Sequence, residues 1–121
     1  MASKANNFDH IWSLNGQSIE ARREFDRSGD LAKLDEAIEK GRQAVACTPP
    51  KHSLRPVTLT NLGTSLLRKY EHSSSPVILN EALRKAEEAL GATASNHPHR
   101  GVLQVWVFPF DIRYYKKPSI I

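Results

Sequence analysis

The sequence predicts an all-α fold of two stacked antiparallel helix hairpins, followed by a C-terminal tail that does not repeat. The main observation is an internal repeat. When the chain of 121 residues is shifted by 45 positions, residues 14–56 align with residues 59–101 without a gap, and 11 of the 43 aligned pairs are identical. Within each unit, apolar residues recur every three or four positions, which is the spacing of an amphipathic helix. A repeat of this kind predicts helix pairs stacked as an α-solenoid.

The first unit covers about residues 9–55 and follows a polar N-terminus, residues 1–7, which we expect to be disordered. Its first helix is expected from Phe8 or Asp9 to Arg27. The apolar anchors of this helix are Ile11, Trp12, Ile19 and Phe25.

A short turn leads into the second helix of the first unit. The turn is Ser28-Gly29-Asp30, and Asp30 is of a residue type that caps helix N-termini. The second helix is expected at about residues 31–48, where two prolines end it. Its spacing predicts that it buries Leu31, Leu34, Ile38, Gly41 and Val45.

The second unit, about residues 56–101, follows the same plan. Its first helix is expected at about residues 54–71, capped by Ser53, with an apolar stripe formed by Leu59, Leu62, Leu66 and Tyr70. Ser75 followed by proline starts the next helix, at about residues 76–91. That helix is expected to bury Leu79, Leu83, Ala86 and Leu90, and we expect Leu34 with Leu79, Ile38 with Leu83, and Phe25 with Tyr70 at equivalent buried sites.

The tail, residues 102–121, matches no part of the repeat. It is rich in Val, Phe, Trp and Tyr and contains Pro109, a composition typical of strand or irregular coil. Either it caps the last helix or the chain is a truncated piece of a longer array. Because no polar capping helix follows, we expect an uncovered apolar face on the last helix and self-association through this C-terminal end.

The composition is that of a soluble globular domain. The net charge is +4, with acidic and basic residues interspersed, and there is one cysteine. A single cysteine excludes an internal disulfide and fits a reducing compartment. We find no apolar stretch of the roughly 20 residues that a membrane span needs and no secretory signal. The expected location is the cytoplasm, without membrane association.

The two units resemble tetratricopeptide-like repeats. Residues 59–71 (LTNLGTSLLRKYE) resemble the first helix of such a repeat, and residues 35–45 (DEAIEKGRQAV) with residues 48–52 (TPPKH) resemble its second helix and exit loop. The nearest relatives by pattern are long-repeat arrays found beside nucleotide-binding or CHAT-type domains. The resemblance implies a protein–protein interaction scaffold module that is part of a larger array, rather than an enzyme.

In this family the first helix of each unit lines a concave binding face. By that resemblance, the partner-binding residues are Arg23, Thr60, Asn61, Thr64 and Arg68. Two arginines at equivalent positions suit the carboxylates of an acidic peptide, because a guanidinium binds a carboxylate with two parallel hydrogen bonds. The expected partner is therefore a protein or an acidic peptide.

A nucleic-acid-binding helical module is the first alternative. Its basis is a band of basic residues on the first helices: Arg22, Arg23, Arg27, Arg68 and Lys69. Interleaved exposed aromatics, which single-stranded nucleic acids stack on, are not evident in this band. A non-functional truncated gene product is the second alternative.

The residues that could carry chemistry do not form a catalytic or metal-binding pattern. His52 and Arg55 recur as His97 and Arg100, which indicates an architectural role rather than a metal site. Cys47 falls at a helix C-terminus, where the helix dipole disfavours a thiolate. We expect no metal, no cofactor and no enzymatic activity.

Overall fold

The computed structural model describes residues 4–92, with side chains from Phe8 onward. These residues form four helices: α1 (Lys4–Ser28), α2 (Leu31–Cys47), α3 (Arg55–Ser73) and α4 (Pro76–Gly91). No strand occurs between residues 4 and 92, and the all-α class is confirmed for this part of the chain. The predictions for residues 93–101 and for the tail, residues 102–121, fall outside the described residues.

The helix boundaries agree closely with the sequence expectations for α2, α3 and α4, where no end differs by more than two residues. The first helix differs more, because α1 begins at Lys4 instead of Phe8 or Asp9. Residues 4–7 contain no proline or glycine that would stop the helix from extending towards the N-terminus. This first turn lies within the segment expected to be disordered.

The turn after α1 and the turn after α3 have the same hydrogen bond and the same backbone conformation. Gly29 has φ 75° and Ser74 has φ 55°, so both are left-handed. The Gly29 amide donates to the Phe25 carbonyl at 2.7 Å, and the Ser74 amide donates to the Tyr70 carbonyl at 2.7 Å. Each of these atoms is related to its counterpart by the 45-residue period.

The N-caps of α2 and α4 are the ones that the sequence predicts. The Asp30 side chain accepts a hydrogen bond from the Ala32 amide, and the Ser75 side chain accepts one from the Ile78 amide. The cap predicted for α3 is wrong. Leu54, not Ser53, occupies the N-cap and makes no side-chain cap bond, because the preceding turn is closed by the Leu54 amide donating to His52 Nδ1 at 3.0 Å.

One apolar core contains side chains from all four helices. Its buried members are Phe25, Leu34, Ile38, Val45, Leu59, Leu62, Leu66, Ala82 and Ala89. A smaller cluster joins Leu67 to Leu79 and Leu83, with Tyr70 half-buried against it. Of the three pairs expected to be buried, two are confirmed and the third is confirmed only for Phe25.

Helix packing follows the chain order. α1 packs along α2, α2 along α3 and α3 along α4, and a smaller contact joins α1 to α3. Gly41 on α2 makes the α2–α3 contact close, because a Cβ atom there would lie 3.2 Å from both Leu62 Cδ1 and Ser18 Oγ. No helix within residues 4–92 is long and apolar enough to cross a membrane.

Two residues that were expected in the core are exposed. Trp12 and Leu31 are 54 % and 46 % exposed. On α4, Leu79, Leu83 and Ala86 are buried as expected, whereas Leu90 is half-buried. Leu79, Leu83 and Ala86 are 8 %, 3 % and 3 % exposed, so these side chains do not form the uncovered apolar face expected on the last helix. The leucines are buried against Leu67 of α3.

Candidate interaction surface

A line of accessible side chains runs along α3, which is otherwise largely buried between α2 and α4. The line consists of Val57, Thr60, Thr64, Arg68 and Glu71, each of which is half-buried or exposed. These residues lie three or four positions apart, so they share one face of the helix. Three of the five residues predicted to bind a partner belong to this line.

The equivalent line on α1 lies beside it. The residues 45 positions earlier are Trp12, Asn15, Ile19, Arg23 and Asp26. Asn15 is buried, and the other four are half-buried or exposed. The two helices meet near their C-terminal ends, where the Phe25 and His72 rings are 5.1 Å apart and Arg68 Nε is 3.5 Å from Asp26 Oδ1. We refer to the two lines, together with Phe8 one turn before Trp12, as the α1–α3 surface.

The two predicted arginines both lie on this surface and both have acidic neighbours. Arg68 is 3.5 Å from Asp26 and 3.7 Å from Glu71, with a side chain that is 42 % exposed. Arg23 is 3.7 Å from Glu20 and is more exposed still. Because surface ion pairs of this kind contribute at most about 1 kcal/mol, a carboxylate of a partner can replace the internal one.

The predicted threonines are placed differently from each other. Thr64 is half-buried, and its hydroxyl donates to the Thr60 carbonyl at 2.9 Å. The Thr60 hydroxyl oxygen is buried and has no hydrogen-bond partner among the described residues. The same is true of Asn15 Oδ1, which occupies the equivalent position on α1, so each unit holds an unpaired oxygen at this position.

Asn61 is not on the accessible line, because its side chain is only 6 % exposed. It belongs to a buried polar network between α1, α2 and α3. Arg22 Nη1 donates to Asn61 Oδ1 at 2.7 Å, to the Asn61 carbonyl at 3.2 Å and to Ser65 Oγ at 2.9 Å. Asn61 Nδ2 donates to Ser18 Oγ, whose hydroxyl donates to the Ala37 carbonyl at 2.6 Å.

Arg22 is the residue of this site that sequence reasoning missed, since it appeared only as one member of the basic band. All its hydrogen bonds to described residues use Nη1 and end on neutral groups. Burial lowers the pKa of the Arg22 guanidinium, the positive charge of Arg68 lowers it further, and Asp26 opposes both effects. Arg22 is therefore a half-buried cation at the line where α1 packs against α3, which we call the α1–α3 seam. It has no bonded carboxylate among the described residues.

An exposed aromatic pair occupies the N-terminal end of the same surface. Phe8 is 42 % and Trp12 is 54 % exposed, and their rings stack with centroids 6.3 Å apart. The Phe8 ring also lies 6.2 Å from the ring of His52, in the segment that precedes α3. The pair therefore extends the α1–α3 surface towards the start of α3.

Most of the basic band is paired with carboxylates. Lys69 Nζ is 2.7 Å from Asp35 Oδ1, and Arg27 contacts both Glu20 and Glu24. With Arg23 and Arg68 also beside acids, the band alternates in charge instead of presenting a uniformly basic surface. Phosphate binding requires the opposite, namely basic residues gathered on one face.

The recurring His–Arg pair has a structural explanation in the first unit. Arg55 Nη1 donates to the carbonyls of Val45 and Thr48, at 3.0 and 2.8 Å, and Arg55 Nη2 contacts Glu88 Oε2 at 2.7 Å. Arg55 thereby caps the C-terminal end of α2, while His52 closes the next turn. His97 and Arg100 lie outside the described residues.

The other residues considered for chemistry are not brought together. Cys47 is a free, half-buried thiol. Among residues 4–92, His, Cys, Asp and Glu side chains do not come together in threes as a metal site would need. No family model, no curated protein and no solved structure matches this chain, so the α1–α3 surface has to be interpreted from its own chemistry.

Proposed function

We propose that the chain is a protein–protein interaction scaffold module, and that its α1–α3 surface binds an acidic segment of a partner protein. The observation that carries the proposal is the pair of arginines at equivalent positions of the two repeat units, Arg23 and Arg68, whose side chains are both exposed on the first helix of their unit. Recurrence of a binding residue with the structural period is typical of repeat proteins that hold an extended partner.

The proposal includes the finer architecture, two stacked tetratricopeptide-like hairpins that form part of a larger array. The order of helix contacts supports it, since α1 pairs with α2, α3 pairs with α4, and α2 lies against α3. The matching turns at Gly29 and Ser74 support it as well. We also propose that the module acts in the cytoplasm, because its one cysteine fits a reducing compartment.

The nucleic-acid alternative has less support than protein binding. The basic residues of α1 and α3 are interleaved with Glu20, Glu24, Asp26 and Asp35, and these carboxylates repel phosphates. Such a module would lose affinity steeply with added salt. The proposal of a truncated, non-functional product predicts instead that no specific partner exists.

The test is peptide binding by the full chain. The probe is a displayed library of short random peptides, followed by fluorescence titration of the selected sequences. We expect enrichment of Asp and Glu, and an affinity about tenfold weaker for Arg68→Gln, as a charge-assisted hydrogen bond is worth about 1.5–3 kcal/mol. Arg84→Gln is the matched control, because Arg84 is exposed on α4. No enrichment of acidic peptides, or equal weakening by both substitutions, would contradict the proposal.

A further inference from the structure

The α1–α3 surface has two chemically different ends, and the inference below rests on the function proposed for it. The N-terminal end presents the stacked rings of Phe8 and Trp12, which are 42 % and 54 % exposed. The C-terminal end presents Arg68 on α3, with Arg22 beside it at the seam. We propose that the bound segment carries an aromatic or aliphatic anchor and a carboxylate about 15 Å apart, with the anchor on Phe8 and Trp12 and the carboxylate between Arg22 and Arg68.

The aromatic end suits an apolar anchor because exposed, stacked rings lose unfavourable hydration when a side chain covers them. Trp12 lies 11 positions before Arg23, which is close to three full helical turns. Both residues therefore point to the same side of α1.

The charged end suits a carboxylate because it holds two arginines: Arg22 Nη1 donates to Ser65 Oγ of α3 at 2.9 Å, about one helical turn before Arg68. The hydrogen bonds of Arg22 to described residues all use Nη1 and end on neutral acceptors, so its Nε and Nη2 make none to those residues. Burial lowers the pKa of Arg22 and the positive charge of Arg68 lowers it further, and the repulsion between the two charges is relieved when an anion lies between them. Asp26, at 3.5 Å from Arg68 Nε, is the chain's own competitor for that position.

The spacing follows from the helix rise. Ten residues separate Trp12 from Arg22, which corresponds to about 15 Å along α1. A bound segment in extended conformation covers this distance with about five residues, at roughly 3.3 Å per residue. The structure thus favours a segment whose anchor precedes or follows its acidic residue by about five positions.

The test is fluorescence anisotropy of the full chain with labelled, C-terminally amidated peptides that carry one Trp and one Glu. Their separation is varied around the value derived above, by about three residues in each direction. Amidation removes the terminal carboxylate, and a parallel series with a free C-terminus and no Glu tests whether a chain end serves equally well. We expect the tightest binding at the intermediate separation and about tenfold weaker binding at the others.

Two substitutions test the two ends separately. Trp12→Ser is expected to weaken binding about tenfold for peptides with the Trp anchor and to leave anchor-free peptides unchanged. Asp26→Asn is expected to strengthen binding about fivefold, because it removes the internal competitor for Arg68. Val77→Ser is the control, since Val77 is a 74 % exposed apolar residue on α4.

The outcomes distinguish this inference from the function it rests on. If acidic peptides bind and Arg68→Gln weakens them, but Trp12→Ser and Asp26→Asn change nothing, the two-ended site is wrong and the proposed function stands. An affinity that does not depend on the Trp–Glu separation would also show that the two-ended site is wrong while the proposed function stands. If no acidic peptide binds at any separation, the proposed function fails and the inference fails with it.

Discussion

Replacing Ser74 by glycine is expected to stabilise the protein, whereas replacing Gly29 by serine or alanine is expected to destabilise it. The two residues occupy equivalent turns and have the same left-handed conformation, with φ 55° and 75°. A residue with a Cβ atom costs roughly 1–2 kcal/mol in this region, and glycine does not pay that cost. Together the substitutions at Ser74 and Gly29 therefore measure the backbone strain at one position of the repeat.

The magnitude follows from what each substitution changes. At Gly29 an added Cβ would meet no atom within 4 Å, so the loss is conformational and should be about 1 kcal/mol. At Ser74 the relief of strain is reduced by the greater freedom of glycine in the unfolded chain, which costs about 0.4–1 kcal/mol. We expect a net gain of about 0.5 kcal/mol, with the hydrogen bond to the Tyr70 carbonyl retained.

The assay is urea denaturation of the full chain at 25 °C, followed by circular dichroism. Equal slopes of the unfolding free energy against urea concentration are needed for the comparison, because a changed slope signals a changed unfolded or native state. The reasoning is refuted if Ser74→Gly lowers the free energy of unfolding, or if Gly29→Ala leaves it unchanged. Either result would show that the left-handed turn is not strained as its φ angles indicate.

Three further predictions concern the core, a helix cap and assembly. Leu83→Ala should lower the free energy of unfolding by about 2–5 kcal/mol, because Leu83 is 3 % exposed, and urea denaturation against the exposed control Val77→Ala measures it. Asp30→Ala should cost about 1 kcal/mol through the lost hydrogen bond from the Ala32 amide, and a thermal scan that matches the parent would contradict this. Self-association through the C-terminal end remains a prediction, which sedimentation with and without residues 102–121 tests; a cooperative monomer that survives the deletion is the contrary result.

The helices and turns could be predicted because local chemistry determines them. Ser28 and Ser73, an identical pair, each accept a hydrogen bond from the amide two residues later, at 3.1 and 3.2 Å. Proline after Ser75 and the two prolines after Thr48 mark helix ends in the same local way. Each of these signals lies within a few residues of the structure it specifies, so one sequence is enough to identify it.

The exposure of individual apolar residues could not be predicted equally well, because it depends on which helix lies opposite. Trp12 shares its side of α1 with Arg23, and among the described residues that side is largely accessible, so the ring is exposed despite its size. Leu31 begins α2 directly after the turn and is 46 % exposed. Residue type and helical spacing led to these two predictions, and neither contains information about which helix lies opposite.

No residue near Arg22 in the sequence predicts its role, because its hydrogen-bond partners Asn61 and Ser65 are 39 and 43 residues away in the chain. The repeat also gave no indication, because the position equivalent to Arg22 is Leu67. Leu67 packs against Leu79 and Leu83 of α4, whereas Arg22 crosses from α1 to α3. The 45-residue period predicts the contacts of a helix within its own unit, but it does not predict contacts between the two units.

The same distinction explains where the candidate site lies. Ala44 and Ala89, an identical pair, are both fully buried, as expected for positions with the same surroundings in each unit. Leu62 is 1 % exposed between α2 and α3, while its equivalent on α1, Gln17, is exposed. Positions therefore diverge where the surroundings of the two units differ, and the seam between α1 and α3 is one such place. Arg22 at that seam is not needed by either unit alone, whereas Arg23 and Arg68 recur with the period. The proposed binding surface therefore combines residues that repeat with one that has a role only where the two units meet.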